Sequence, residues 1–164
     1  MSINPDDLKV ARSFLFVPAN RPERINKAIA TGADVVIVDL EDAVAENAKI
    51  VSRLALSTWL DANPEESVMI RINAIGTEWA EDDLQVCCHS GVVGIMLPKA
   101  EMAEAITHVY SATHKPIIAI IESLKGLDEI NNIAAEEGCL RLAFGKLDLA
   151  VELDLIPDES DPEE

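Results

Sequence analysis

Several short apolar runs in this sequence end abruptly in charge, and those charges could do chemistry. One run ends in Asp39-Leu-Glu41-Asp42, another carries Arg71-Ile-Asn73, a third ends in Pro98-Lys99, a fourth in Glu122, and a fifth is followed by Gly145-Lys146-Leu-Asp148. Glu122 closes Ile117-Ile-Ala-Ile-Ile121, where an ionised carboxylate is costly to bury unless it is paired or bound to a cation. Asp148 follows just past the next run. Two carboxylates with no histidine beside them suit a hard divalent ion. Magnesium takes one or two carboxylates, keeps waters, and leaves positions for substrate oxygens. The competing reading pairs each acid with a lysine or an arginine. Arg71 interrupts Val68-Met-Ile with a permanent charge, and its planar fork matches a carboxylate. It either clamps a substrate carboxylate or a developing enolate oxygen, or it pairs internally with Glu41 or Asp42. Both hold if those acids orient the arginine.

The elements that must position these groups alternate along the chain. Apolar runs at 13–17, 34–39, 68–73, 92–97, 116–121 and 140–144 are mostly short, continuous and rich in Val and Ile, as expected for strands buried on both faces of a parallel sheet. Helical signals fill the gaps at 21–31, 45–60, 101–112 and 126–137, with Gly32 as a helix stop and Asp61-Ala-Asn-Pro64 as another. Strand–helix alternation predicts an α/β fold with right-handed crossovers. A (β/α)₈ TIM-type barrel usually takes about 250 residues and eight strands. Asp161-Pro-Glu-Glu164 reads as a helix start, with an N-cap acid, a proline at the first position and acids in the first turn. The expectation is a single domain over 1–164 that holds the first six βα units and is incomplete at its C-terminal end. The alternative is an open doubly wound sheet complete at six strands. In a barrel, functional groups gather at the C-terminal rim of the strands, where the charges above fall.

Composition sets the outer bounds. Hydrophobic residues make up 49% and charged residues 26% of the 164 residues, which is ordinary globular usage. A net charge of −17 argues against nucleic acid and anionic membranes as partners. No apolar run approaches the roughly 20 residues of a membrane span, and the N-terminus lacks a signal-peptide pattern, so a cytoplasmic protein is expected. Cys87, Cys88 and Cys139 fit no metal knuckle or redox pair and read as reduced, buried small hydrophobes. His89, His108 and His114 fall in or beside helical segments, away from the charged rim. No G-x-S-x-G elbow, P-loop or G-x-G-x-x-G occurs, which counts against serine hydrolases, ordinary NTPases and dinucleotide enzymes.

The charged motifs also carry a resemblance. Arg12-Ser-Phe-Leu-Phe-Val-Pro18 with Arg21-Pro-Glu-Arg24, Gly32-Ala-Asp34 with Asp39-Leu-Glu-Asp-Ala-Val44, Arg71-Ile-Asn73 with Gly76-Thr77, Met96-Leu-Pro-Lys99, Ile121-Glu-Ser123 with Gly126-Leu127, and Phe144-Gly-Lys-Leu-Asp148 occur in order. In that series the sequence resembles the HpcH/HpaI aldolase and citrate lyase beta-subunit family. The resemblance implies a TIM-type barrel and a divalent metal, usually Mg²⁺, held by Glu122 and Asp148. It implies Arg71 as the substrate-binding arginine; in the mechanism this suggests, Glu41 and Asp42 would orient Arg71 or bind waters of the metal shell. It implies carbon–carbon cleavage or condensation of a short hydroxy-acyl-CoA such as citryl-CoA, or of a free hydroxy acid. Arg21, Arg24 and Lys27 are candidates for the phosphates of acyl-CoA, or else a solvated helix face. Trimers or hexamers are implied, and so is a complex with an acyl carrier protein. The other reading is a noncatalytic barrel that binds acyl-CoA or acts only within such a complex.

Overall fold

The computed structural model describes residue 3 and residues 6–155; the helix start expected at Asp161–Glu164 lies outside the described residues. Six strands form one parallel sheet: β1 (Phe14–Pro18), β2 (Val35–Asp39), β3 (Val68–Arg71), β4 (Val92–Leu97), β5 (Ile117–Ile121) and β6 (Cys139–Phe144). Their spatial order is their chain order. A doubly wound sheet must reverse its strand order at a switch point, and no reversal occurs here. The winding is that of a (β/α)₈-type barrel, seen as a six-stranded arc.

The two faces of the arc are filled differently. Val36, Val38, Ile70, Ile95, Leu97 and Ala119 point outward into one core. That core is completed by α2 (Ile25–Ile29), α3 (Lys49–Ala62), α4 (Ala80–Cys87), α5 (Ala103–Thr113) and α7 (Ile130–Ala135). The alternate residues Val35, Ile37, Met69, Met96, Ile118 and Ile120 form a second core on the other face. Period-2 alternation therefore divides each strand between the crossover helices and the inside of the arc. The lower part of the inside is plugged by Ile3 and by α1 (Asp7–Val10), whose Leu8 is fully buried. Gly94 makes room for this plug, since a Cβ there would meet the Leu8 side chain at 2.8 Å. Arg141 of β6 donates to the carbonyls of Leu8 and Ala11 at 3.2 and 2.7 Å and lies over the Phe14 ring. The arc thus bends far enough for its last strand to reach the segment leading into its first.

Several expectations change in detail. The helix expected at 126–137 is two helices, α6 (Leu124–Asp128) and α7, because the backbone of Glu129 (φ −92°, ψ 3°) turns out of helical geometry. Helix α4 had not been anticipated. Asp148 lies in the first turn of α8 (Lys146–Glu152) rather than in a strand-end loop. Cys87 is buried, and burial pushes its thiol well up, but Cys88 is exposed, on the solvent side of the turn that ends α4. No helix among the described residues is long and apolar enough to cross a membrane.

Candidate functional site

The site begins with a register match. Asp39 and Arg71 are the last residues of β2 and β3 and stand opposite each other in the ladder, both pointing inside. Arg71 Nε donates to Asp39 Oδ1 at 2.9 Å, and its Nη2 donates to Oδ2 at 2.5 Å, a fork-to-fork pair. The Asp39 carboxylate, 1% exposed, also accepts the backbone N–H groups of Glu41 and Ala43. One buried acid therefore both orients the guanidinium and shapes the loop after β2. Arg71 lies over the Phe16 ring, 5.1 Å from its centroid, which fixes the plane of the fork. Burial works against its charge, but Asp39, then Glu41 and Asp42, more than offset this and hold the guanidinium firmly protonated.

The loop after β2 brings further acids to the same arginine. Glu41 Oε2 is 3.2 Å from Arg71 Nη1, without hydrogen-bond alignment, and Asp42 Oδ2 is 3.7 Å away. Glu41 is 6% exposed, and burial raises its carboxyl above the ordinary range; Arg71 pulls it down and Asp42 pushes it up. Lys99 Nζ lies 3.4 Å from Glu41 Oε1. Behind this loop, away from the inside of the arc, Lys49 of α3 donates to the carbonyls of Leu40 and Glu41, both at 2.9 Å, and sits over the Trp79 ring. One turn on, Arg53 holds Asp83 of α4 at 2.7 Å, and Asp83 accepts from the backbone and side chain of Asn73, which in turn donates to Leu40 O. Buried charges on the outer helices thus tie down the loops that carry Glu41 and follow Arg71.

Glu122 follows β5 and points inside, 8% exposed. Its Oε1 accepts the Lys99 backbone N–H at 2.7 Å. Burial raises the Glu122 carboxyl; the Lys99 amide lowers it, and the charge of Asp148 raises it again, leaving it above the ordinary range. Helix α8 is anchored over this corner by Gly145 N–H to Ile121 O at 3.0 Å and by Leu124 N–H to the Glu152 carboxylate at 2.9 Å. These bonds place the first turn of α8, with Asp148, on the same cavity as Glu122, near enough for the Asp148 charge to act on it. Both acids line an open cavity of about 730 Å³ with Arg71 and Asp42, over an apolar floor that includes Phe16 and Ile120.

The residues singled out in the sequence divide accordingly. Arg71, Glu122, Asp148 and Asp42 line one cavity, and Glu41 joins it through Arg71. Arg21, Arg24 and Lys27 do not line it: Arg21 pairs with Glu23 at the start of the 3₁₀ turn Pro22–Arg24, and Arg24 and Lys27 are exposed there and on α2. His108 and His114 lie on α5 and at its end, and His89 just precedes β4, all outside the cavity lining. Sequence reasoning missed Asp39 as the main partner of Arg71, Lys99 as the link between Glu41 and Glu122, and Phe16 beneath the guanidinium. Asp39 had a usable signal: an acid ending a fully apolar strand next to one ending in arginine.

A divalent cation fits this donor set. Among the described residues no cluster of three or more His, Cys, Asp or Glu is arranged for a metal, and the candidate donors are the pair Glu122 and Asp148. Two carboxylates at an open, partly buried rim, one raised by burial and further by the other's charge, match what Mg²⁺ takes when it keeps its waters.

Fold and site together define an α/β barrel-type protein whose cavity, at the C-terminal rim of its strands, is lined by the carboxylates Asp42, Glu122 and Asp148 and by the fixed Arg71 guanidinium. The chain belongs to the HpcH/HpaI aldolase/citrate lyase family, whose sequence pattern matches residues 12–163. It is 43% identical over 141 residues to the citrate lyase subunit beta-like protein of Mycobacterium tuberculosis, covering 85% of this chain and 49% of that protein. It is 32% identical over 145 residues to the (3S)-malyl-CoA thioesterase of Cereibacter sphaeroides, covering 87% of this chain and 51% of that one. The chain therefore spans about half the length of the curated relatives it matches. Among solved structures it resembles CitE of M. tuberculosis in complex with magnesium and acetoacetate, with TM-score 0.78 and 38% identity over 91% of this chain and 60% of that one. The same protein has been solved with magnesium, acetoacetate and coenzyme A; the likeness there is TM-score 0.76 at 38% identity, over 90% of this chain and 54% of that one.

Proposed function

We propose that residues 1–164 act as one barrel-type domain of a Mg²⁺-dependent carbon–carbon lyase that cleaves or forms a short hydroxy-acyl-CoA such as citryl-CoA. The observation that carries this reading is the convergence of Glu122, Asp148 and Arg71 on one cavity. Glu122 and Asp148 would hold the cation. When bound, it supplies Lewis-acid polarisation of a hydroxyl or carbonyl oxygen. The Lys99 amide donates to Glu122 Oε1, which would leave Oε2 as the freer oxygen for the cation.

Arg71 does the rest of the electrostatic work. Asp39 occupies one edge of its fork, which leaves guanidinium donors on the cavity side for a substrate carboxylate or for charge developing on oxygen. Because Asp39, Glu41 and Phe16 fix it beforehand, little reorganisation is needed during the reaction. In the cleavage direction the substrate hydroxyl loses its proton, the adjacent carbon–carbon bond breaks, and its electron pair passes to the thioester as an enolate. A keto acid is released, and the enolate is protonated to acetyl-CoA. Arg21, Arg24 and Lys27, exposed on the segment after β1, are candidates for the CoA phosphates. CoA is bound by CitE of M. tuberculosis, which supports the thioester branch of the family. We place the protein in the cytoplasm.

The test is a screen of citryl-, malyl- and citramalyl-CoA with Mg²⁺, following acetyl-CoA and keto acid. Cleavage that disappears in Glu122→Ala and Asp148→Ala supports the reading. Release of free CoA without carbon–carbon cleavage would replace it with thioester hydrolysis. Turnover confined to a carrier-bound thioester would assign the chain to a multi-subunit complex.

A further inference from the structure

Glu122 is held on one side by a strained residue and on the other by an absent side chain. Lys99 lies in the left-handed region at φ 47°, a conformation that costs an L-residue roughly 1–2 kcal/mol. Strain of this kind persists where the surroundings demand it. Here it turns the Lys99 N–H onto Glu122 Oε1 at 2.7 Å, while the side chain of the same residue reaches Glu41. On the opposite side lies Gly145, between β6 and α8. Its backbone (φ −84°, ψ 81°) is one that alanine can adopt, so conformational freedom does not call for glycine here. Space does. A Cβ at Gly145 would lie 2.5 Å from Glu122 Cβ and 2.5 Å from Glu122 Oε2.

We infer that Gly145 is a positioning residue for Glu122: its missing side chain leaves the space in which Oε2 sits while the Lys99 amide holds Oε1. The pair acts as a jaw that decides which carboxylate oxygen faces the cavity and from where. Ordinary steric relief cannot restore the arrangement, because one of the two clashing atoms is Cβ, which moves only with the backbone of the segment after β5. This deepens the metal reading and rests on it only where cation binding is measured.

The experiment is Gly145→Ala, with Glu122→Gly and the double variant completing a cycle. Only glycine at 122 removes both clashing atoms. In Gly145→Ala the midpoint of thermal unfolding should fall by at least about 2 °C. Titration with Mg²⁺ alone should show affinity weakened about 10- to 100-fold, the usual effect of losing a group that orients a metal ligand. In the Glu122→Gly background the same Gly145→Ala change should leave the midpoint unmoved. If Gly145→Ala fails to fold, recovery of folding in the double variant supports the jaw. An unchanged midpoint and unchanged Mg²⁺ affinity in Gly145→Ala would overturn it. So would a double variant as impaired as the sum of the single changes. Should the wild-type protein bind no Mg²⁺, the metal reading fails, and the unfolding cycle still decides the role of Gly145.

Discussion

Replacing Asp39 by leucine isolates the interaction on which the site is built. The change removes an acceptor that takes two guanidinium bonds and two backbone N–H groups in a position 1% exposed. The Arg71 side chain, 16% exposed, keeps only the unaligned Glu41 and the distant, solvated Asp42. Breaking a largely buried pair by removing one partner costs about 3–5 kcal/mol, because the other charge is left uncompensated. For a chain of this size that corresponds to a fall in unfolding midpoint of roughly 6–20 °C. Arg71→Leu should cost at least as much, since it leaves Asp39, Glu41 and Asp42 facing one another without a cation. The double variant should be more stable than either single one, because a pair replaced by well-packed apolar groups is often neutral in stability. Urea unfolding followed by circular dichroism gives all three values. Single losses below about 1 kcal/mol, or a double variant that loses the sum of the two, would refute the reasoning: the pair would then behave as a solvated surface bridge.

Other consequences are measurable in the same way. The Glu122 carboxyl is raised in the folded protein above its ordinary value of 4.5, so its contribution is fully present below about pH 4.5 and is lost as pH rises through the folded value. Glu122→Gln should therefore match wild type in acid and become more stable than the metal-free wild type as pH rises, read by thermal unfolding across pH 4–8. Asp83 is fully buried and accepts from Arg53 and Asn73, so Asp83→Ala should cost about 3–5 kcal/mol. The same variant should speed hydrogen exchange at Asn73–Thr77, the segment that Asp83 holds beside the β2 loop.

The strands were legible because parallel strands buried on both faces must be continuous runs of Val, Ile and Leu, and Val35–Asp39 and Ile117–Ile121 are buried throughout. The charges that end them announced a rim for the same reason: an ionised group closing such a run needs a partner or a ligand. Which partner each charge takes was not legible, because ladder register is a tertiary fact. Arg71 could have met Glu41 or Asp42 alone; only the β2–β3 register places Asp39 opposite it. The choice between a barrel arc and a doubly wound sheet turned on strand order, which alternation of elements does not encode. Helix α4 was missed because its apolar stripe, Ala80, Leu84 and Cys87, is short and narrow, although Glu81, Asp82 and Asp83 in its first turn are a helix-start signal. The close approach of Gly145 to Glu122 joins the segments after β5 and β6, and no local pattern records it.

The most direct test titrates metal-free protein with Mg²⁺ by calorimetry beside Glu122→Ala and Asp148→Ala. One ion per chain, with binding abolished by either substitution, is the result required if these two carboxylates share a cation. Binding that survives both substitutions at wild-type affinity would contradict it and leave the rim acids as counter-charges for Arg71 and Lys99 alone.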